Sequence, residues 1–421
     1  MNKRILLISG NFSPEPTGIG KYNGEMIDCL AADGNHCTVV TTYPYYPYWE
    51  VQEPYKKRSS WYQREVKTTD DNAGTIEIYR CPQYVPTKPT AKRRMILDLT
   101  FCFFAFFKII QLLFTHKFDY VITVVPCFQI GLLGVLYKKV RGGKFLYHIQ
   151  DLQIDIAREL KMINSKILLE FLFRVEKFIL RNADVVSTIS PGMITRIKKK
   201  FNRDVLLFPN WVDTKVFYPV QQKDLLKEEF HFGTSDKIIL YSGAIGEKQG
   251  LEAIVYAADK LQSNKSLKFV ICGSGPYLHK LQSLINASHL NNIIILPLQP
   301  SAQLNHFLNM ADIHLVLQKG KATDLVMPSK LTNILSVGGT AIISACLNST
   351  LFEIISSNGI GFPIEPENSH ALVEAIQSVL LNDDGKISTN ARVYAENFLS
   401  IDKIMCRYLT QLHDIDTHQA A

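Results

Sequence analysis

The sequence predicts an α/β protein of two domains, each built on a parallel β-sheet covered by helices on both faces. The chain has 421 residues, and chains beyond roughly 250–300 residues usually divide into domains. Short apolar runs alternate with longer helical stretches, which is the pattern of repeated βα units. The polar segment 209–224, which contains Pro219, separates two series of such units and is predicted as the linker. We therefore predict an N-terminal domain over residues 1–215, a C-terminal domain over 216–395, and a final helix or tail over 396–421 that returns to the first domain.

Each predicted strand is a short apolar run of the kind that is buried on both faces of a parallel sheet. In the first domain these runs are residues 4–9, 36–42, 120–125, 144–149, 185–189 and 205–208. In the second domain they are residues 237–241, 268–272, 293–296, 313–317 and 340–344. The composition, 47% hydrophobic and 20% charged, is that of a globular protein and excludes a disordered chain.

Charge is distributed unequally along the chain. Residues 1–218 carry 31 Lys and Arg against 20 Asp and Glu, and the remaining residues carry 15 against 19. A basic first half favours an anionic partner, such as lipid head groups or a pyrophosphate. Nucleic acid is disfavoured as a partner because the sequence contains no recognisable nucleic-acid-binding motif.

The eight cysteines are scattered and show neither a CxxC pair nor the Cys/His spacing of a zinc site. Most lie in apolar runs, where a free cysteine acts as a small buried hydrophobe. This usage fits a reducing cytoplasm better than a secreted protein with disulfide bonds. The first apolar run, residues 5–9, is too short for a signal peptide and is predicted as a strand.

Residues 95–114 are almost wholly apolar, although Asp98, Lys108 and Gln111 interrupt them. The longest apolar stretch is shorter than the ~20 residues of a membrane-spanning helix. On a helical wheel these residues form two opposite apolar faces. One face consists of Leu99, Phe103, Phe106, Ile110 and Leu113, and the other contains Phe101 and Phe104. Two interpretations stay open: a helix that lies on an anionic membrane surface, aided by the basic residues just before it, or a helix buried between the sheet and a neighbour.

Glycine-rich turns follow three of the predicted strands. They contain Gly18 and Gly20 after the first strand, Gly243 and Gly246 with Lys248 and Gln249 in the second domain, and Gly273 with Gly275 on the next strand. Glycine lets the backbone approach a ligand closely, and the helix that follows each turn directs its N-terminus at an anion. The first turn alone also fits a plain strand–turn–helix connection, because it is not the GxGxxG pattern. The two turns of the second domain favour a diphosphate at the carboxyl edge of one sheet.

A further candidate phosphate site is the segment Pro328-Ser329-Lys330-Leu331-Thr332-Asn333. The hydroxyl of Ser329 and the ammonium of Lys330 at a helix start suit a phosphate. Asn333 lies one turn further along that helix, where its amide suits ribose hydroxyls.

The first domain offers candidate catalytic residues at the end of the strand 144–149. His148 lies on this strand and Asp151 follows it. A lone histidine in a strand is equally well explained as a hydrogen-bonded core residue, whereas an ionised Asp151 at a strand end suits a site. Asp155 is a further candidate for acceptor binding. No Asp-x-Asp pair follows a predicted strand, so we expect neither a metal nor another cofactor.

These motifs, taken in order, resemble the GT-B glycosyltransferases of family 4, and most closely the colanic-acid-type exopolysaccharide transferases. The resemblance covers roughly residues 3–400 and rests on TGIGKYNGEM, YPYYPYW, HIQD, TISPGM, FPNW, YSGAIGEKQGLE and PSKLTNIL. It implies two Rossmann-like domains that face a cleft and a retaining transfer from a nucleotide-sugar donor, with GDP-fucose preferred and a UDP-sugar as the alternative. It further implies an acceptor sugar on a polyprenyl diphosphate and a cytoplasmic location at the inner face of the membrane. The competing hypotheses are a non-catalytic sugar-binding or scaffold protein and a dehydrogenase; the latter is disfavoured without GxGxxG and a downstream acid.

The sequence departs from the family pattern at the donor site. Most members carry an Arg and a Lys on the pyrophosphate, and by position Ala244 and Gln249 stand there, with Lys248 one place earlier. Members also carry two glutamates eight residues apart, where this chain has Leu325 and Asn333. The resemblance therefore implies a modified donor site. In it Lys330 and Lys248 bind the diphosphate, Asn333 binds the ribose and Asp324 binds the sugar. The base is bordered by Gly273, Gly275 and Leu298.

Overall fold

The computed structural model describes residues 2–15, 18–68, 74–159, 163, 165–320, 328–382 and 385–417. The chain divides into two compact units, Met1–Phe208 and Pro209–Ala421. The division falls at the first residue of the segment that the sequence predicts as the linker.

Unit 1 is an α/β unit around a single sheet. Its described strands are β1 (Arg4–Ser9), β2 (His36–Thr42), β3 (Gln63–Thr68), β4 (Thr75–Cys81), β5 (Tyr120–Val125), β6 (Lys144–Ile149), β7 (Val185–Thr188) and β8 (Leu206–Leu207). Its described helices are α1 (Gly18–Ala32), α2 (Ala91–Thr115), α3 (Gly131–Arg141), α4 (Gln153–Glu159), α5 (Lys166–Asn182) and α6 (Pro191–Lys200). The strand order is β3-β4-β2-β1-β5-β6-β7-β8. β3 runs antiparallel to β4, and the other neighbouring strands are parallel.

The centre of the unit 1 sheet is apolar on both faces. All six residues of β5, YVITVV, are buried, and Ile5 and Leu7 of β1 pair with Tyr120 and Ile122 of β5. From β1 the chain continues toward β2 on one side, while β5 lies on the other. Such a change of direction opens a crevice at the carboxyl ends of the two strands, where open α/β sheets bind ligands.

Unit 2 repeats this plan with a smaller sheet. Its described strands are β9 (Lys237–Ser242), β10 (Leu267–Cys272), β11 (Ile293–Leu296), β12 (Ile313–Val316), β13 (Ala341–Ser344) and β14 (Phe362–Ile364). Its described helices are α7 (Lys223–Glu229), α8 (Glu252–Lys260), α9 (Leu278–Ala287), α10 (Leu304–Asn309), α11 (Lys330–Ser336), α12 (Thr350–Asn358), α13 (Ser369–Asn382), α14 (Lys386–Tyr394) and α15 (Ile401–Thr417). The order β11-β10-β9-β12-β13-β14 is parallel throughout, with the change of direction between β9 and β12. α15 belongs to unit 2, and its predicted return to the first domain stays a prediction.

Alternate residues of β9 face the two sides of the unit 2 sheet. Ile238 and Leu240 pack into one apolar cluster, whereas Ile239 and Tyr241 pack into the other. The period of two is that of a strand covered by helices on both faces. Tyr241 is the last apolar residue before the glycine turn, so its ring lies under the carboxyl edge of the sheet.

Helix α2 corrects the predicted orientation of the apolar segment 95–114. Phe101 and Ile109 are fully buried where α2 packs on β2, β4 and α3, and the Phe104 ring lies 6.2 Å from that of Tyr62. The outward side is instead formed by Ile96, Leu99, Phe103, Phe106 and Phe107, which are 39–58% exposed. We call these five residues the outer face of α2. The membrane-surface interpretation of the sequence assigns the contact to Phe101 and Phe104. This assignment is wrong, because Phe101 is buried against the sheet and a helical wheel identifies two apolar sides without showing which one meets the sheet.

Helix α2 is also the one described helix whose length and composition would allow it to cross a membrane. An 18-residue window within Lys92–Thr115 has a mean hydropathy of 2.0, and 33% of that window is buried. A core helix of a soluble protein meets the same criterion, and α2 has one side on the sheet. The interpretation of a helix packed on the sheet therefore holds for one side of α2, whereas membrane contact by the other side stays a prediction.

Candidate active site

Two glycine turns meet at the carboxyl edge of the unit 2 sheet. A Cβ atom on Gly273 would lie 1.9 Å from the Gly243 carbonyl oxygen, and one on Gly275 would lie 2.2 Å from that of Ile245. The Ile245 N–H donates to the Ser274 carbonyl at 2.8 Å. The turns therefore pack backbone against backbone, and Gly243 and Gly275 adopt φ values of +150° and +155° that favour glycine. This edge lies beside β9 and β12, where the chain changes direction.

Lys330, the first residue of α11, lies over these turns. Its Nζ atom is 3.5 Å from the centroid of the Tyr241 ring, and a Cβ atom on Gly243 would be 3.0 Å from that Nζ. Although the residue as a whole is partly exposed, the Nζ atom is buried and has no hydrogen-bond partner among the described residues. Burial lowers the pKa of the Lys330 ammonium to about 7, since a charge is costly where water is excluded. A bound anion would supply the missing partner.

The turn after β9 is held from below by Tyr241, whose hydroxyl donates to the Ala244 carbonyl oxygen at 2.7 Å. In this turn, where the family pattern has a lysine, Gln249 has a buried Oε1 atom without a donor among the described residues. A Cβ atom on Gly246 would be 2.8 Å from that oxygen. Lys248 is exposed, so its predicted contact with a diphosphate stays a prediction.

The sequence-based prediction of the donor site did not include Lys319, which follows β12. Its N–H donates to the Lys248 carbonyl at 2.8 Å, and its side chain lies along Gly250, where a Cβ atom would be 3.6 Å from the Lys319 Cγ atom. Lys319 thereby adds a second partly buried cation at the change of direction between β9 and β12. Only the strand order shows this proximity, because Lys319 lies 69 positions after Gly250 in the sequence and in a different element.

The other predicted donor residues differ in position. Ser329 is exposed at the start of α11, with no capping hydrogen bond from its side chain, and Asn333 is partly buried. Leu331 is 2% exposed in the apolar cluster of unit 2, and its N–H donates to the Pro328 carbonyl at 3.0 Å. The structure therefore assigns Leu331 to the core instead of the donor site. Asp324, like Leu325, lies outside the described residues.

The loop after β11 borders the second glycine turn. Gly273 donates its N–H to the Leu296 carbonyl at 3.3 Å, and the Cys272 Sγ lies 3.1 Å from the Pro297 carbonyl oxygen. Leu298, the predicted base contact, follows in this loop and is partly buried. Its contact with a base stays a prediction.

His148 and Asp151 differ in environment within unit 1. His148 is 4% exposed, its Nδ1 atom is 2.9 Å from the Ser187 hydroxyl, and its ring packs against Phe208. Burial lowers the pKa of His148 to about 3, so the ring is neutral. This is the geometry of a hydrogen-bonded core histidine, the alternative that the sequence left open. Asp151 is partly exposed just after β6.

Asp155 is a structural residue and not an acceptor ligand. It is buried at the start of α4, where it pairs with Lys200 and, at 3.2 Å, with Arg158. Lys200 also pairs with Glu176 at 2.9 Å. This group ties α4, α5 and α6 together, which corrects the expected role of Asp155.

Glu15, in the loop after β1, belongs to no motif that the sequence analysis identified. Its buried carboxylate accepts from the N–H groups of Tyr45 and Tyr46 at 3.1 and 3.0 Å, and from the Asn11 amide at 2.9 Å. A Cβ atom on Gly20 would be 2.6 Å from Glu15 Oε2. Burial raises the pKa of Glu15 to about 7. Gly20 therefore leaves room for this carboxylate to join the first glycine loop to the tyrosine-rich segment after β2, whereas Gly18 adopts a φ of +63° at the start of α1.

Among the described residues, no group of three His, Cys, Asp or Glu side chains is placed to hold a metal ion. Whether the reaction is independent of metal stays a prediction.

Comparison with known proteins assigns the chain to a family. Residues 17–211 match the family described as glycosyl transferase 4-like domain, and residues 222–398 match glycosyl transferases group 1. Over 97% of its length, the chain is 38% identical to 99% of a protein from Escherichia coli (strain K12), named as the colanic acid biosynthesis glycosyl transferase WcaI. The chain belongs to the group 1 glycosyltransferases. The predicted enzyme class is thereby confirmed.

Two solved structures share the fold of this glycosyltransferase. Sucrose-phosphate synthase from Thermosynechococcus elongatus matches with a TM-score of 0.74 at 18% identity, over 100% of both chains. The Anabaena protein HepE, solved with UDP and glucose, matches with a TM-score of 0.70 at 13% identity, over 98% of this chain and 100% of its own. At these identities the likeness concerns the fold alone, and it confirms the predicted GT-B class.

Proposed function

We propose that this enzyme transfers a hexosyl group, with retention, from a nucleoside diphosphate sugar to a lipid-linked sugar in exopolysaccharide biosynthesis of the colanic acid type. The observation that carries the proposal is the buried Nζ atom of Lys330, which lacks an anionic partner among the described residues. It lies beside the glycine turns at the edge of a parallel sheet, where a diphosphate fits. The biosynthetic route rests on likeness to the protein named WcaI.

In the proposed reaction the bond between the sugar C1 atom and the donor phosphate breaks, and a new bond forms between C1 and an acceptor hydroxyl oxygen. The departing phosphate takes the hydroxyl proton. Negative charge therefore grows on the diphosphate, where Lys330 and Lys319 provide the nearby cations. Preorganised charge in a water-poor site stabilises such a transition state more strongly than it would in water.

GDP-fucose is the proposed donor, and a UDP-sugar is the alternative. GDP-fucose follows from the resemblance to the colanic-acid-type transferases. The base would lie between the Gly273 turn and the loop that contains Leu298, because these segments are hydrogen-bonded side by side. Asn333 is proposed for the ribose and Asp324 for the sugar.

The acceptor is proposed to be a sugar on a polyprenyl diphosphate at the cytoplasmic face of the membrane. Support comes from the outer face of α2, whose exposed aromatic residues are preceded by the exposed cations Lys92 and Arg93. Exposed apolar side chains flanked by basic ones suit the interface of an anionic bilayer. The enzyme would then lie on the membrane surface.

A donor panel tests the proposal. Purified enzyme is offered UDP-, GDP- and dTDP-sugars with a prenyl-diphosphate sugar, and transfer is followed by mass spectrometry. Lys330→Ala should reduce transfer from the preferred donor by at least about a hundredfold, since removing one stabilising group of this kind commonly costs that much. The control is Lys260→Ala, an exposed lysine of α8 paired with Asp259. Near-normal transfer by Lys330→Ala would contradict the proposal, as would the absence of turnover with every donor.

A further inference from the structure

A second polar cluster lies at the carboxyl edge of the unit 1 sheet. The Arg94 guanidinium, on the first turn of α2, lies 4.8 Å from the Trp49 ring centroid. The Trp49 ring is 5.7 Å from that of Tyr45 and 6.1 Å from that of Tyr46. Among the described residues, Arg94 forms no salt bridge. The fork of a guanidinium that is stacked but not paired with a carboxylate is available to an anion.

Asp98 lies one turn after Arg94 and closes the cluster on its inner side. Its carboxylate accepts from the Gln153 Nε2 atom at 3.1 Å. The other polar atom of that amide, Gln153 Oε1, is buried without a donor among the described residues. Burial also raises the pKa of Asp98 to about 6. A carboxylate and an unused amide oxygen side by side are acceptors for sugar hydroxyls.

Arg94 and Asp98 are polar residues on the side of α2 that otherwise carries apolar residues packed on the sheet. The side that packs on the sheet is a stripe of Leu97, Phe101 and Ala105 at helical spacing, all at most 5% exposed. At the N-terminal end the stripe becomes polar at Arg94 and Asp98, where the helix passes the edge of the sheet. The outer face lies on the opposite side, so the two surfaces are separated by a helix diameter of about 10 Å.

We propose that Trp49, Arg94, Asp98 and Gln153 form the acceptor subsite, in which Arg94 binds the diphosphate of a lipid-linked sugar. The inference rests on the proposed function. Trp49 offers the sugar a flat ring, Arg94 offers the diphosphate a planar set of donors, and Asp98 with Gln153 accepts from hydroxyl groups. The prenyl chain remains at the membrane on which the outer face of α2 rests. The Trp49 backbone has a φ of +58°, and the Glu15 carboxylate accepts from the N–H groups of Tyr45 and Tyr46 earlier in the same loop.

Binding of farnesyl diphosphate tests the subsite without knowledge of the acceptor sugar. Calorimetry is performed with saturating GDP, so that the donor site is filled. Arg94→Met should weaken farnesyl diphosphate binding about tenfold, as expected for the loss of a charge-assisted pair, and should leave farnesol binding unchanged. Arg93→Met is the matched control, because Arg93 is exposed on the same turn and its guanidinium donates only to the Lys88 carbonyl among the described residues. Arg94→Lys keeps the charge without the planar fork and should be intermediate.

Three results would overturn the subsite. The first is equal farnesyl diphosphate affinity in the Arg94→Met and Arg93→Met variants. The second is that Arg94→Met weakens the binding of inorganic pyrophosphate as much as that of farnesyl diphosphate, which would show a site for free phosphate. The third is that Arg94→Met weakens binding of the enzyme to anionic phospholipid vesicles as much as it weakens farnesyl diphosphate binding, which would assign Arg94 to bilayer head groups. If only the proposed function fails, the wild-type enzyme binds farnesyl diphosphate through Arg94 but transfers no sugar to any prenyl-diphosphate sugar.

Discussion

The ammonium nitrogen of Lys330 lies 3.5 Å from the centroid of the Tyr241 ring, on a strand that ends beneath the two glycine turns. A ring face attracts a cation without supplying a hydrogen bond. The lysine is thereby held at the place where a diphosphate fits, with its charge only partly compensated. The pKa of Lys330 should therefore differ between the free enzyme and the donor complex.

Donor affinity should decrease as the pH rises through about 7, the lowered pKa of Lys330. Below that pH the ammonium is charged and attracts the diphosphate, whereas above it the amine is neutral. The dissociation constant for the preferred nucleotide sugar should rise by up to about tenfold per pH unit. Calorimetry from pH 5.5 to 9 measures it, with Lys330→Met as the control that should lose this dependence. A flat profile in the wild-type enzyme would contradict the prediction.

Tyr241→Phe removes the hydroxyl that donates to Ala244 and keeps the ring under Lys330. The free energy of unfolding should fall by about 1 kcal/mol, the usual net value of one hydrogen bond, and donor KM should rise because the turn loosens. Urea denaturation and initial rates measure the two effects. The control is Tyr256→Phe, whose hydroxyl bonds to His370 at the surface. Equal stability of the two variants would show that the Tyr241 bond does not support the turn.

Gly273→Ala should destabilise unit 2 by about 2 kcal/mol or more, because the new methyl group would overlap the Gly243 carbonyl oxygen and the backbone cannot yield cheaply. Donor binding should be lost with it. Gly320→Ala is the control, since its methyl group would have ordinary contacts at 3.5 Å or more. Thermal unfolding distinguishes them, and similar melting temperatures would refute the close approach of the two turns.

Replacing Phe103 and Phe107 together by serine should reduce binding to anionic phospholipid vesicles by about tenfold or more, because both exposed rings would leave the bilayer. Leu381→Ser, at an 81% exposed position of unit 2, is the control. Co-sedimentation measures the bound fraction. Unchanged binding of the double variant would remove the membrane role of the outer face. Phe101→Ser, by contrast, places a hydroxyl in the core and is expected to unfold the protein.

Much of the fold follows from the sequence because buried parallel strands are continuous apolar runs, as in the YVITVV of β5. The prediction missed β3, whose residues QREVKT are mostly exposed and charged at an antiparallel edge, and β14, which has three residues including a proline. It also missed the interior strand β4, because its residues TIEIYRC alternate buried apolar with polar or charged side chains and form no continuous apolar run. Edge strands contact one neighbour and need no apolar run. Their sequences therefore carry little sign of the sheet.

The site was predictable where its residues are adjacent in the sequence and form a motif, as at Lys330 and the glycine turns. It was not predictable where the strand order brings distant segments together. Lys319 becomes relevant only because β12 neighbours β9, and Glu15 only because the loops after β1 and β2 are adjacent. The neutral His148 shows the reverse: its place at a strand end suggested catalysis, but its hydrogen bond to Ser187 lies inside the core.

The backbone contact between Gly243 and Gly273 limits how this enzyme can be redesigned for other donors. A side chain at Gly273 would displace the Gly243 turn, and one at Gly243 would crowd the Lys330 ammonium, so libraries that randomise the glycines would yield mainly unfolded or inactive variants. The loop 297–299 borders the same turns through a main-chain atom, the Pro297 carbonyl oxygen, which accepts from the Cys272 thiol at 3.1 Å, and this leaves the Leu298 side chain open to exchange. Engineering of base preference should therefore begin at Leu298, with both glycines held constant.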